Sequence, residues 1–123
     1  LQSKEDIKKC LAHPLSILVK EVEDPRRFGV IIADNDGKVL DLVEKPEFPV
    51  SKLASTGVKV LDHRIFNYPA RKHENGEYYI TDSLARLAKD HEVKIVHASF
   101  WLPVGYPEDI KKAEEELKKR HTI

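Results

Sequence analysis

The sequence predicts an α/β layered domain built on a mixed sheet, and two observations carry that expectation. Apolar runs of strand length alternate with stretches whose apolar residues recur at helical spacing. Two of the strand-like runs flank Asp34-Asn35-Asp36-Gly37, a strong turn signal that joins them as an antiparallel hairpin. Hairpins mixed with helices belong to layered α/β architectures rather than to bundles or sandwiches. No repeat, low-complexity linker or composition break divides the chain, so residues 1–123 form a single domain.

Each element has its own signal. Ser3 is the expected N-cap of a first helix, with Asp6 three residues on completing a capping box. Ile7, Cys10 and Leu11 give that helix its apolar spacing, and Pro14 ends it. Leu15 to Val22 reads as a largely buried strand centred on Ile17-Leu18-Val19, broken by Asp24-Pro25. Phe28 to Ala33 and Lys38 to Val43 are the two hairpin strands. Pro46 and Pro49 mark a surface loop. Ala54 to Leu61 is a further strand, and Gly57 inside it signals a bulge or a close approach to the backbone. Asp62 to Phe66 is a short helical turn, and the polar stretch from Pro69 to Gly76 reads as the least ordered part of the chain. Thr81 caps a helix with Leu84, Leu87 and Ala88 on its inner face. Val93 to Ala98 is a strand with His97 half-buried, and Trp101 to Val104 is extended. Pro107 opens the last helix, with Glu108 and Asp109 at its positive end and Lys118, Lys119 and Arg120 at its negative end. Ile110, Ala113 and Leu117 form its core stripe.

Composition narrows the function classes. The chain has 123 residues, 41% hydrophobic and 34% charged, which suffices for a buried core. Lys+Arg and Asp+Glu balance at 21 each, so neither nucleic acid nor a membrane surface is the expected partner. No apolar stretch is long enough to span a bilayer. The single cysteine, Cys10, excludes an intramolecular disulfide and fits a small buried residue in a reducing compartment, so a cytoplasmic location is expected. The six histidines, at 13, 63, 73, 91, 97 and 121, are scattered without metal-ligand spacing. No Gly-rich phosphate loop is present.

One short motif stands out. Glu44-Lys45-Pro46 places a carboxylate and an ammonium side by side where a strand ends. Pro46 is expected to deny Lys45 the helical region and hold it extended. Both heads could then reach one hydroxyl-rich anion, the carboxylate accepting from hydroxyls and the ammonium holding phosphate as a point charge. Taken alone, such a pair reads first as a solvated loop ion pair.

The pair is one member of an ordered series. Asp24-Pro25-Arg26-Arg27-Phe28-Gly29-Val30 precedes it. Pro49-Val50-Ser51-Lys52-Leu53-Ala54 with Gly57-Val58, then Gly76-Glu77-Tyr78-Tyr79-Ile80-Thr81-Asp82, then Trp101-Leu102-Pro103-Val104-Gly105 with Pro107-Glu108-Asp109 follow it. In this order they resemble the C-terminal half of the sugar-1-phosphate nucleotidyltransferases (nucleoside-diphosphate-sugar pyrophosphorylases, such as the glucose-1-phosphate thymidylyltransferases), from about Ile17 to Leu117. The resemblance implies a Rossmann-like nucleotide-diphospho-sugar transferase fold, of which this chain is the C-terminal part. It implies nucleotidyl transfer from a nucleoside triphosphate to a sugar 1-phosphate, with magnesium as cofactor. It makes Gly29 the point of close approach to the sugar, Glu44 the holder of its hydroxyls and Lys45 the catalytic and phosphate-holding residue. Ser55, Thr56 and Gly57 line the sugar pocket, and Trp101 is either a wall of that pocket or a core residue. Glu77 and Asp82 are family-like but more structural.

The chain departs from the family pattern at Pro103, where many members carry a magnesium-binding aspartate. The resemblance also leaves the family's nucleotide-binding half, with its Gly-rich loop, unmatched. With no methionine anywhere and Leu1 at its start, the chain is expected to be a fragment or processed product, the sugar-phosphate side of a site, inactive by itself. Two other readings stay open. One is a regulatory module that binds sugar phosphate or nucleotide sugar without chemistry; the other is an inactive interaction fragment. A homo-oligomer is compatible with all three.

Overall fold

The computed structural model describes residues 1–121. Its element order is α1 (Lys4–Leu11), β1 (Ser16–Glu21), β2 (Gly29–Ala33), β3 (Val39–Glu44), β4 (Leu53–Val60), a 3-10 helix (His63–Asn67), α2 (Ile80–Asp90), β5 (Lys94–His97) and α3 (Pro107–His121). The five strands form one sheet in the order β3-β2-β4-β1-β5. β1 and β5 run parallel and the other pairs antiparallel, so the sheet is mixed as the sequence predicts.

The expected hairpin is β2–β3, in register from Gly29 opposite Glu44 to Ile32 opposite Asp41, with a one-residue slip before Ala33 opposite Val39. Its turn is closed by Asp34, whose side chain accepts from the amides of Asp36 and Lys38. On one sheet face α2 buries Leu84, Leu87 and Ala88 against Leu15, Ile17, Val19, Ile31, Val39 and Leu42, which makes the main core. On the other face Cys10 of α1 packs with Leu18 and Ala98.

The two outer helices depart from the expected stripes. Ser3 does cap α1, accepting from the amides of Glu5 and Asp6. Asp6 is not the other half of a capping box. Its carboxylate is buried and accepts from the amides of Ser99 and Phe100 and from the Ser99 hydroxyl. Burial would raise its pKa, but those hydrogen bonds and the charge of Lys9 hold it below the ordinary value. The inward face of α1 is therefore Asp6 and Cys10, while Ile7 and Leu11 are exposed, Leu11 to 65%. α3 repeats the pattern: Asp109 and Ala113 are buried, and Ile110 and Leu117 are exposed, Ile110 to 52%. In both helices an anchoring carboxylate rotates the expected stripe by one residue.

Three further expectations are corrected. Tyr79, not Thr81, is the N-cap of α2, without a side-chain cap bond; Thr81 lies inside the first turn and is buried. The stretch from Pro69 to Gly76 is a built turn: the His73 amide donates to the Glu77 carbonyl and the Gly76 amide to the His73 carbonyl. It is pinned to α2 by the His73 Nε2–Asp82 contact at 2.5 Å. His97 is exposed, because it stands at the end of edge strand β5.

Candidate active-site cleft

β2 meets β4 only at Val30 opposite Ala54, yet β4 continues to Val60 beside β1. The start of β2, the end of β3 and the far part of β4 thus frame a gap on the α2 side of the sheet. That gap is a cleft of about 690 Å³. All seven residues singled out from the sequence line it: Gly29, Glu44, Lys45, Ser55, Thr56, Gly57 and Trp101. So do Arg27, Lys59, Tyr79, Thr81 and Pro103.

Gly29 lies beneath the Glu44 carboxylate. A Cβ on Gly29 would come 3.2 Å from Glu44 Oε2 and 3.1 Å from Thr81 Cγ2. Glycine acts there through proximity, since its φ is not positive: a Cβ would make Glu44 or Thr81 give by a few tenths of an ångström. Lys45 answers how both members of the pair reach one space. Its amide donates to the Phe28 carbonyl at 3.0 Å, adding a rung beyond Gly29–Glu44. Its backbone then turns left-handed, with φ 44, the one positive φ outside glycine among the described residues. The expected extended conformation is thereby corrected: Pro46 excludes the right-handed helical region, and the chain leaves the sheet through the left-handed one. In a regular strand Glu44 and Lys45 would point to opposite faces; the turn brings both to the cleft, at a cost of about 1–2 kcal/mol. Lys45 Nζ stands 5.8 Å from the centroid of the Tyr79 ring.

Gly57 works by a different means. Between Ile17–Lys59 and Val19–Ser55 the β1–β4 register slips, so β4 bulges about Gly57, as its position in the strand predicts. Gly57 has φ +98, and a Cβ there would meet nothing within 4 Å. It is needed for conformation and not for space. Ser55 faces Gly29, lying 3.7 Å from where a Cβ would sit. Thr56 turns its hydroxyl away to the Leu18 carbonyl at 3.0 Å, and its own carbonyl accepts from Gln2 Nε2 at 3.0 Å, so its polar groups serve the structure. Trp101 fills both roles left open for it. It packs edge-on against Phe28 with ring centroids 4.9 Å apart, and it forms a wall of the cleft.

The opposite rim is self-satisfied. Asp109 accepts from the amides of Gly105 and Tyr106, capping α3, and from Arg27 Nη2 at 3.2 Å. The two amide bonds, with Arg27, hold its carboxyl below the ordinary value. Arg27 also stacks over the Tyr106 ring at 4.3 Å. Asp109 is thus committed to structure, more specifically than a helix-dipole role would require.

Sequence reading missed Lys59 and the true place of Thr81. Lys59 could have been found from parity: it lies four residues from Ser55 on the same strand, and the bulge returns it to the Ser55 face. Thr81 Oγ1 is a buried hydroxyl without a hydrogen-bond partner among the described residues, at the first turn of α2. Only knowledge of which residue precedes the helix could separate that from a cap.

No three acidic, histidine or cysteine side chains gather among the described residues to hold a metal ion. Among the described residues Glu44 is the one carboxylate lining the cleft, Pro103 offers no ligand, and Asp109 is engaged elsewhere. The described residues do not by themselves make a magnesium site.

The layered sheet thus carries a strand-end Glu-Lys pair over a glycine in an open cleft. The nucleotidyl transferase family model matches residues 4–120, and the chain belongs to that family. It is 34% identical to the bifunctional protein GlmU of Methanocaldococcus jannaschii over 117 residues, covering 93% of this chain and 29% of that protein. It is 35% identical to a bifunctional sugar-1-phosphate nucleotidylyltransferase/acetyltransferase of Sulfurisphaera tokodaii, over 77% of this chain and 24% of that one. Its fold matches a UDP-glucose pyrophosphorylase solved with UDP-glucose at TM-score 0.77 and 27% identity, covering 86% of this chain and 44% of the other. The chain therefore spans less than half the length of these relatives.

Proposed function

We propose that the protein carrying this chain transfers a nucleotidyl group from a nucleoside triphosphate to a sugar 1-phosphate, and that this chain holds the sugar phosphate. One observation carries the reading. Glu44 and Lys45 reach the same cleft with no side-chain hydrogen bond or ion pair to each other or to any described residue, beside a glycine that leaves room for a ligand. The expectation of a solvated ion pair between them does not fit that geometry. With Arg27 offset by Asp109, the charged side chains left lining the cleft among the described residues are Lys45 and Lys59 against Glu44, so a neutral chain presents a cationic site suited to a phosphate.

In this reading an oxygen of the sugar phosphate attacks the α-phosphorus of the triphosphate in line. A new P–O bond forms as the bond to the departing pyrophosphate breaks, and the pyrophosphate carries away the electron pair. Lys45 holds the attacking phosphate, offsetting part of its charge without removing its nucleophilic oxygen. Glu44 accepts from sugar hydroxyls and sets the ring over Gly29, and Trp101 closes one side. These are contributions of position and electrostatics, the main resources of phosphoryl-group enzymes. Magnesium, where the transfer uses it, would supply charge neutralisation on the triphosphate.

Pyrophosphate release by the full-length protein, measured over a panel of nucleoside triphosphates and sugar 1-phosphates, tests the reading. At least one pair should turn over, and Lys45→Ala should abolish most of that rate. The presence of Pro103 at the cleft favours one rival, a module that binds sugar phosphate without chemistry. Tight binding with no turnover for any pair would decide for that rival.

A further inference from the structure

We infer that Lys59 is a second phosphate-holding cation of the cleft, so that a dianionic phosphate monoester is bracketed between the Lys45 and Lys59 ammonium groups. This rests on the reading of the cleft as a sugar-phosphate site and adds a residue that the strand-end motif does not include.

The position is an unusual one for a lysine. On the β1–β4 ladder Lys59 lies opposite Ile17, which is fully buried in the main core. Opposed residues of an antiparallel pair share a face, so Lys59 points to the α2 side, as Ser55 does opposite Val19. It is half-buried and lines the cleft with Glu44 and Lys45. Among the described residues its ammonium makes no hydrogen bond or ion pair. An ammonium withdrawn from water without a partner is costly. A doubly charged phosphate in the cleft would supply the missing counter-charge from the side where the fold leaves space.

The other charged or titratable side chains facing this space are Glu44 at the end of β3, Lys45 just after it, Arg27 before β2, and Tyr78 and Tyr79 before α2. From β1 the neighbour is the apolar Ile17. Desolvation lowers the Lys59 pKa, and the Glu44 charge opposes that only in part. The charge on Lys59 is therefore lost at lower pH than that of an ordinary lysine. Phosphate affinity should fall with it on the alkaline side, where the phosphate itself stays dianionic.

Amide chemical-shift titrations of the full-length protein with inorganic phosphate and with glucose 1-phosphate test the inference, with Gly29 and Gly57 as reporters. Lys59→Met keeps the side-chain length and removes the charge; it should weaken both ligands about tenfold or more. Lys59→Arg should restore most of the affinity and move the alkaline fall to higher pH. If Lys59→Met binds as the wild type does while Lys45→Ala does not, the inference is overturned and the sugar-phosphate reading stands. If phosphate shifts no cleft amide of the wild type, the reading itself fails and the inference with it. A Lys59→Arg chain as weak as Lys59→Met also overturns it, because charge is then not what Lys59 provides. Should Lys59→Met not fold, the pH dependence of wild type against Lys59→Arg decides: an unmoved alkaline limb contradicts the role.

Discussion

The two rims of the cleft use the same kinds of side chain to opposite ends. On one rim Arg27 and Asp109 are joined at 3.2 Å, and Asp109 also takes the amides of Gly105 and Tyr106. On the other, Glu44 and Lys45 stand next to each other in sequence and bond to no described side chain, although both line the same space. A carboxylate and a cation that satisfy each other stabilise a fold and have little left for a ligand. A carboxylate and a cation held apart by a left-handed backbone turn remain available. Sequence adjacency did not predict which rim would pair; backbone direction did.

This contrast can be broken by mutation. The largest expected effect is on the open rim: Lys45→Ala should lower kcat/KM for the sugar phosphate by roughly 10- to 150-fold, the worth of one charge-assisted hydrogen bond of about 1.5–3 kcal/mol, with the unfolding midpoint unchanged. On the paired rim the reverse is expected. Asp109→Ala should cost about 1–2 kcal/mol of stability in denaturant titrations, through loss of the α3 cap and the Arg27 bond, and change the sugar-phosphate KM little. A comparable loss of function from Asp109→Ala would erase the distinction between the rims.

The two glycines sharpen it further. Gly57→Ala should cost stability, about 1 kcal/mol, because φ +98 strains any side chain while the space around it is empty. Gly29→Ala should instead act on the ligand, since its Cβ would press on the Glu44 carboxylate at 3.2 Å and displace it. Severalfold weaker sugar-phosphate binding is the expected result, read by calorimetry.

The smallest effect at neutral pH is electrostatic. The Asp24 and Asp62 carboxyls are pulled down to about 2 by hydrogen bonds from Arg26 and Arg64, and those of Asp6 and Asp109 also lie below their ordinary value. A carboxyl depressed by folding stabilises the folded state above its unfolded value near 4, and that contribution is lost as pH falls through the folded value. The thermal midpoint should therefore be level from pH 7 to about 5 and fall between about pH 4 and pH 2. A midpoint that rises on acidification would contradict the assignment of these carboxylates.

Much of this could be read from the sequence, and the failures share a cause. The hairpin, the bulge at Gly57 and the inner face of α2 follow from local patterns that tertiary structure leaves alone. α1 and α3 do not, because Asp6 and Asp109 are buried with hydrogen bonds supplied from distant or neighbouring loops. A period count assigns such carboxylates to the outside and so turns both helices by one residue. The gathering of Gly29, Glu44, Lys45, Ser55, Thr56, Gly57 and Trp101 at one cleft was legible because the ordered series of short motifs places them at strand ends and glycines. Lys59 was passed over, since a lysine on a strand ordinarily means an outward face; parity with Ser55 points it inward, and the ladder to Ile17 shows that it faces that way.

A crystal structure of the full-length protein with a sugar 1-phosphate bound tests the central claim most directly. The account predicts the phosphate within about 3 Å of Lys45 Nζ and sugar hydroxyls on the Glu44 carboxylate, with the ring over Gly29. A sugar phosphate bound away from this cleft, or reversed so that Glu44 faces the phosphate, would contradict it.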